Sequence, residues 1–131
     1  MTACGFWPHR GNLAASVLDA EGRLHRVALA PRDDLDCWGC LAELEAQHGL
    51  DLQLVLPEPL LRGHPLAVIA RARGMTVLSA PYLLAEAIAA VAYSRSSSYL
   101  LATVLARLPG SRFQGQLRLL PRGHSRQMQL L

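Results

Sequence analysis

Two short apolar segments in the middle of the chain constrain its fold more than any other feature. Leu52–Leu56 and Met75–Ser79 are nearly continuous in apolar residues, and each follows a segment in which apolar residues recur at helical spacing. A strand that is apolar on both faces has to be covered on both faces, as in the parallel sheets of α/β proteins. We therefore predict an α/β domain with two helix–strand units at its centre.

The residues before these units predict three strands and a helix. Ala3–Trp7 is a short apolar run, and Asn12–Leu18 and Leu24–Ala30 flank the turn-forming sequence DAEG at residues 19–22. A turn-rich tetrapeptide between two apolar runs indicates a hairpin, so we expect the chain to open with an antiparallel meander. Aspartates that can cap a helix, followed by apolar residues at helical spacing, predict a helix over residues 33–48.

The second half of the chain is predicted to be mainly helical. Helices are expected over Leu60–Arg73, Pro81–Tyr93 and Tyr99–Arg107, with a break at Ser94–Ser98. The order β-β-β-α-β-α-β-α, followed by a C-terminal helix, predicts a mixed sheet that is parallel in one half and antiparallel at one edge.

The length of 131 residues is that of one domain. We place this domain at residues 1–110 and a basic C-terminal extension at residues 111–131. Within the extension, Phe113–Leu120 could form a strand or an extended arm, and the last ten residues are expected to be mobile.

The basic residues are all arginine, and they are unevenly distributed. Residues 1–86 contain seven arginines and all ten acidic residues, whereas residues 87–131 contain six arginines and no acid. Such an asymmetry indicates binding to a polyanion, although arginines that only keep a helix and a tail solvated would give the same pattern. The expected nucleic-acid contacts are Arg95, Arg107, Arg112, Arg118, Arg122 and Arg126.

Several features favour a cytoplasmic protein that has no membrane partner. No apolar stretch approaches the roughly 20 residues of a membrane-spanning helix. Residues 1–10 lack the basic and apolar regions of a secretory signal. The chain has three cysteines, an odd number that implies no disulfide framework.

Four segments between residues 3 and 93 carry a resemblance to a known superfamily. Residues 4–10 (CGFWPHR) and 12–23 are similar to a strand with an apolar-Gly-apolar-Asp pattern, followed by a second strand that ends in an acidic, Gly-containing turn. Leu54–Glu58 is similar to a strand that ends in a glutamate, and residues 70–81 are similar to a helix–strand–Pro segment. Together with the element order, these segments resemble the ribonuclease-H-like superfamily, in particular RuvC-like nucleases and DEDD transposases.

The resemblance also implies a catalytic site that this chain lacks. The superfamily cleaves phosphodiesters with two metal ions held by three or four carboxylates. Its first acid falls at Trp7, Glu58 is the one candidate for the second, and the last helical region contains only Glu86. No catalytic residue is assigned beyond the candidate Glu58. We expect no metal and no cofactor, and magnesium would be needed only if nuclease activity survives.

We therefore expect a catalytically degenerate ribonuclease-H-like domain that acts as a nucleic-acid-binding accessory protein. One alternative is a protein-interaction module or homodimer that uses residues 80–108, including the aliphatic stripe of Tyr99–Leu108. A further alternative is a metal-dependent nuclease whose acids are not recognised in the sequence.

The CWGC sequence at residues 37–40 has two possible chemical roles. Cys37 at a helix N-terminus has the setting of a redox-active thiol, but the neighbouring aspartates disfavour a thiolate. Cys37 and Cys40 also have zinc-ligand spacing, and His48, Cys4 and His9 could supply further ligands if the fold brought them close. We expect instead that both cysteines are partly or wholly buried and that they bind no metal.

Overall fold

The computed structural model describes residues 1–121, and within them six strands form one mixed sheet. The strands are β1 (Thr2–His9), β2 (Asn12–Leu18), β3 (Leu24–Leu29), β4 (Leu52–Glu58), β5 (Thr76–Pro81) and β6 (Arg118–Leu119). Their order across the sheet is β3-β2-β1-β4-β5-β6. The three N-terminal strands are antiparallel, β1, β4 and β5 are parallel, and β6 is antiparallel to β5. The prediction of an α/β domain with a mixed sheet is confirmed.

Helices cover both faces of the sheet, as the apolar strands require. They are α1 (Asp34–His48), α2 (Pro65–Ala72), α3 (Tyr82–Tyr93) and α4 (Ser98–Arg107). The side chains of α1 and α2 join a first hydrophobic cluster on one face of the sheet, and those of α3 and α4 join a second cluster on the other face. In the described part of the chain, no helix is long and apolar enough to cross a bilayer.

The predicted helix boundaries are confirmed except at the start of α2. The helix was expected from Leu60, but it begins at Pro65. Proline is favoured in the first helical turn, where its missing N–H costs nothing, and His64 caps the helix by accepting the N–H of Leu66. Residues 59–64 form turns that bury Leu61 in the first cluster.

The described part of the predicted C-terminal extension, residues 111–121, packs on the domain. Phe113 and Leu117 pack against the second cluster. The two residues of β6 pair with β5, and the N–H of Leu120 donates to the carbonyl of Val77 at 2.9 Å. Only a short part of the predicted Phe113–Leu120 element is therefore a strand.

Helix α4 lies unusually close to the central strand β1 because residue 5 is glycine. A Cβ atom at Gly5 would meet the carbonyl oxygen of Ala102 at 2.0 Å and the backbone nitrogen of Ala106 at 2.8 Å. These are backbone atoms, so they can move away only if the whole helix moves. Gly5 therefore sets the distance between α4 and the sheet.

We expect Gly5→Ala to destabilise the protein by about 3 kcal/mol or more, because overpacking against backbone cannot be relieved by a change of rotamer. The matched control is Gly39→Ala in α1, where an added Cβ meets nothing within 4 Å. That change should stabilise the helix by about 0.5–1 kcal/mol. Urea unfolding measures both, and equal midpoints for the two variants would contradict this account.

Two partly buried histidines couple stability to pH. Burial lowers the pKa of His64, and burial together with the nearby His25 lowers the pKa of His48. The folded protein thus binds protons at these sites less readily than the unfolded chain does. The stability that the neutral imidazoles contribute is complete above the ordinary histidine pKa of about 6.5, and it is lost as the pH falls through the lower pKa of the folded state.

We expect His64→Asn to reduce the loss of thermal stability between neutral pH and about pH 5, because asparagine can cap α2 without titrating. The measurement is the melting temperature of both proteins at several pH values. A variant that loses as much stability as the wild type on acidification would show that the His64 cap is not the group that responds.

Candidate nucleic-acid interface

Trp7 lies near the carboxyl end of β1, at the position where the resemblance implies the first metal-binding acid. Its side chain is buried in the second cluster together with Val55 of β4 and Leu101 and Leu105 of α4. The indole therefore fills the space between the sheet and α4 and contributes to the core.

Glu58 ends β4 on the face of the sheet opposite to Trp7. Leu56 belongs to the first cluster, whereas Val55 belongs to the second cluster with Trp7. Because successive side chains of a strand point to opposite faces, Pro57 shares the face of Trp7 and Glu58 does not. The two positions that the resemblance pairs are therefore separated by the sheet.

The carboxylate of Glu58 is paired with a guanidinium. Arg62 Nε donates to Glu58 Oε1 at 2.6 Å, and a second nitrogen of Arg62 contacts the same oxygen. Across residues 1–121, no three Asp, Glu, His or Cys side chains gather in a group that could hold a metal ion. Among the described residues, Glu58 thus belongs to an ion pair and not to a carboxylate cluster.

A polar cluster that the sequence analysis did not predict joins α4 to the end of β1. The Ser98 hydroxyl donates to the carbonyl of Pro8 at 3.2 Å, and His9 Nδ1 lies 2.9 Å from the same hydroxyl oxygen. Because the hydroxyl proton is engaged with Pro8, His9 donates to Ser98. A serine that is activated by histidine needs the opposite polarity, so these contacts fasten the helix to the strand. The partners are far apart in sequence, and no local pattern connects them.

Of the six arginines predicted to bind nucleic acid, the four that the structure describes do not form one surface. Arg95 precedes α4 and Arg107 ends it, so they lie near opposite ends of a ten-residue helix that is about 15 Å long. Arg112 lies beside α3, with its guanidinium over the ring of Phe113. Arg122 and Arg126 lie outside the described residues.

Arg118 belongs to a groove that contains two further arginines. Arg62 from the loop after β4, Arg71 from α2 and Arg118 from β6 line a cavity of about 440 Å³ together with Glu58. The acidic half of the chain supplies Arg62 and Arg71, so charge counted along the sequence did not single them out. Strand β6 brings Arg118 to them by pairing at the far edge of the sheet.

The cavity lined by Arg62, Arg71 and Arg118, which we call the arginine groove, has a net positive charge, and Pro121 forms part of its wall. Arg71 Nε donates to the carbonyl of Pro121 at 2.6 Å, which holds the last described residue against α2. The side chain of Arg62 is largely exposed although it contacts Glu58, and Arg118 is exposed. Three guanidinium groups and one carboxylate thus surround one cavity, an arrangement suited to an anionic ligand such as phosphate.

The aliphatic stripe of α4 faces the core and is not a free docking surface. Leu101, Val104, Leu105 and Leu108 are all buried in the second cluster. The exposed apolar surface in the range 80–108 lies instead on α3.

Cys37 and Cys40 are buried and half-buried on α1, which confirms the predicted burial. Burial raises the pKa of both thiols, and the carboxylate of Asp36 contributes to the rise at both. At neutral pH the two side chains are therefore thiols and lack the thiolate that redox chemistry needs. His48 stands at the other end of α1, beside the ring of His25.

No protein-family model matches this chain, and no curated protein is significantly similar to it.

Proposed function

We propose that this protein is a ribonuclease-H-like domain that binds nucleic acid in the arginine groove without cleaving it. The observation that carries the proposal is the convergence of Arg62, Arg71 and Arg118 on one cavity. Arginine suits phosphate because its planar fork of N–H donors matches the phosphate oxygens. Phosphate contacts of this kind bind the backbone and do not read the sequence.

The superfamily assignment is supported by the order of elements along the chain. An antiparallel three-strand meander is followed by two helix–strand units that add parallel strands, as the resemblance implies. The hypothesis that the protein does not cleave nucleic acid is supported by Trp7 and Pro57, which occupy the face where the resemblance implies carboxylates. A two-metal mechanism requires several carboxylates around one point.

Binding through the groove should depend steeply on salt. If three arginines each contact one phosphate, the logarithm of the affinity for duplex DNA should fall against the logarithm of salt concentration with a slope of about −2.7, at about −0.9 per contact. Replacing Arg62, Arg71 and Arg118 by glutamine should remove most of this slope. The control removes the same charge elsewhere, by Arg10→Gln, Arg23→Gln and Arg26→Gln at exposed positions, and should retain most of the slope. Fluorescence anisotropy of a labelled oligonucleotide measures both, and equal losses in the two variants would indicate that the groove is not the binding site.

Substitution of Glu58 separates binding from cleavage in the same experiment. Glu58→Gln removes the negative charge beside Arg62, so affinity should rise about threefold, the effect of an exposed charge worth roughly 0.5–1 kcal/mol. We expect no cleavage by either protein with magnesium or manganese. Cleavage by the wild type that Glu58→Gln abolishes would support the nuclease alternative.

We infer a homodimer through α3 as a second candidate function, because this helix exposes apolar side chains. Leu83 is 63% exposed and Val91 is 88% exposed. Beside Val91, the helix and Phe113 line an apolar cleft of about 300 Å³. Contiguous apolar surface of this kind is typical of interaction sites.

If α3 mediates association, the wild type should dimerise as its concentration rises, and Leu83→Glu with Val91→Glu should keep it monomeric. The charged side chains oppose burial of the helix at an interface. Leu35→Glu is the control, because Leu35 is as exposed but lies on α1. Sedimentation equilibrium measures the effect, and a wild type that is monomeric at every concentration would exclude this candidate.

A further inference from the structure

The two edges of the sheet differ in how far they are protected from further strand pairing. At one edge, β6 has only two residues. At the other edge, β3 has six residues and pairs on one side only, with β2, within the described part of the chain. The outer backbone N–H and C=O groups of such an edge strand are a template for another strand, and natural proteins usually block them with lysine, proline, a bulge or a covering element. Leu24–Leu29 contains no lysine or proline, and its one charged residue, Arg26, places its guanidinium over the ring of Tyr99 in α4.

A groove runs along this open edge. It has a volume of about 360 Å³, and the four consecutive residues 27–30 line it. Alternate side chains of a strand point to opposite faces, so four neighbouring residues can line one groove only if it follows the edge of the strand and its backbone. The groove therefore gives a ligand access to the unpaired backbone groups of β3.

Helix α1 forms the other wall of the groove and supplies both apolar and acidic groups. Leu44 and Cys40 contribute apolar surface, and Val27 of β3 faces them from the same cluster. Asp36 and Glu43 add carboxylates. Asp36 is already paired with Arg32, whose Nε lies 2.9 Å away. Glu43 is exposed and receives only a long contact of 3.4 Å from Gln47, so its carboxylate is available to a ligand.

We propose that the groove between β3 and α1 binds an extended peptide segment of another protein. The segment adds to β3 as a further strand, which gives affinity through backbone hydrogen bonds. Alternate side chains enter the groove, where apolar residues contact Val27 and Leu44 and an arginine or lysine contacts Glu43. This site lies about five strand spacings, or roughly 24 Å, from the arginine groove, and the two grooves share no lining residue, so the proposal does not rest on nucleic-acid binding.

The charge of the groove favours a basic peptide over a second copy of this chain. Pairing of β3 with β3 of another copy about a twofold axis perpendicular to the sheet would place both α1 helices on the same face. Their acidic residues, including Asp34, Asp36 and Glu43, would then approach one another. Like charges brought together at an interface suppress association.

A random peptide library displayed on phage and selected against the folded full-length protein tests the proposal. We expect the enriched peptides to share apolar residues at alternate positions and an arginine or lysine among them. The synthetic form of an enriched peptide should bind Glu43→Lys about tenfold more weakly, the loss expected for one charge-assisted hydrogen bond. It should bind Glu86→Lys as it binds the wild type. That control makes the same charge change at an exposed glutamate of α3.

Backbone methylation tests whether the peptide adds as a strand. N-methylation at every second residue should abolish binding in one of the two registers and leave the other largely unaffected, because only alternate N–H groups of an added strand face β3. The proposal is overturned if no peptide family is enriched, if Glu43→Lys has no effect, or if methylation in either register is tolerated. It is also overturned if the protein self-associates through β3 and the peptide competes with that association, because the occupant would then be a second copy.

Discussion

The backbone contact between β1 and α4 at Gly5 is the constraint on which the second face of the sheet depends. With no side chain at this position, the helix approaches until Ala102 and Ala106 lie directly over the central strand. Polar contacts then hold the helix in register. The Ser16 hydroxyl bonds to Thr103, which donates to the carbonyl of Tyr99 inside the helix. This buried chain of hydrogen bonds leaves no orphaned hydroxyl and admits only one rotation of α4. Ser98 fixes the N-terminal end of the helix by donating its hydroxyl to the carbonyl of Pro8 in β1.

Much of the fold could be predicted because its strands and helices have strong local signals. Three of these signals lie in the local sequence: the apolar runs, the aspartates before α1 and the glycines that end elements. The start of α2 was predicted too early because Leu60 and Leu61 extend the apolar pattern of the helix, although residues 59–64 form turns. The residue that marks the start of α2 is Pro65, because proline is favoured in the first turn of a helix.

The candidate site was harder to predict than the fold because it depends on contacts between distant segments. Successive side chains of β4 alternate between the two faces of the sheet. A shift of one residue therefore decides whether Glu58 lies on the same face as Trp7. The arginine groove combines α2 with β6, which are neighbours only because β6 pairs at the edge of the sheet. A charge count by halves of the chain places Arg118 in one group and Arg71 in another. The absence of an acid at Trp7 and the presence of the arginine groove are therefore separate features, and only the first could be inferred from the sequence.

The charges of the described residues differ in sign between the two edges of the sheet, and this difference contributes to an electric dipole moment. Three arginines line the groove beside β6, and two carboxylates of α1, those of Asp36 and Glu43, line the groove beside β3 at the opposite edge. In the field of a polyanion, such a dipole experiences a torque that turns the β6 edge toward the polymer before contact. The β3 edge would then face away from the polymer and stay accessible to a protein while the arginine groove is occupied. If both proposed sites are used, the unlike edges of the sheet would let one domain hold a nucleic acid at one edge and a peptide at the other.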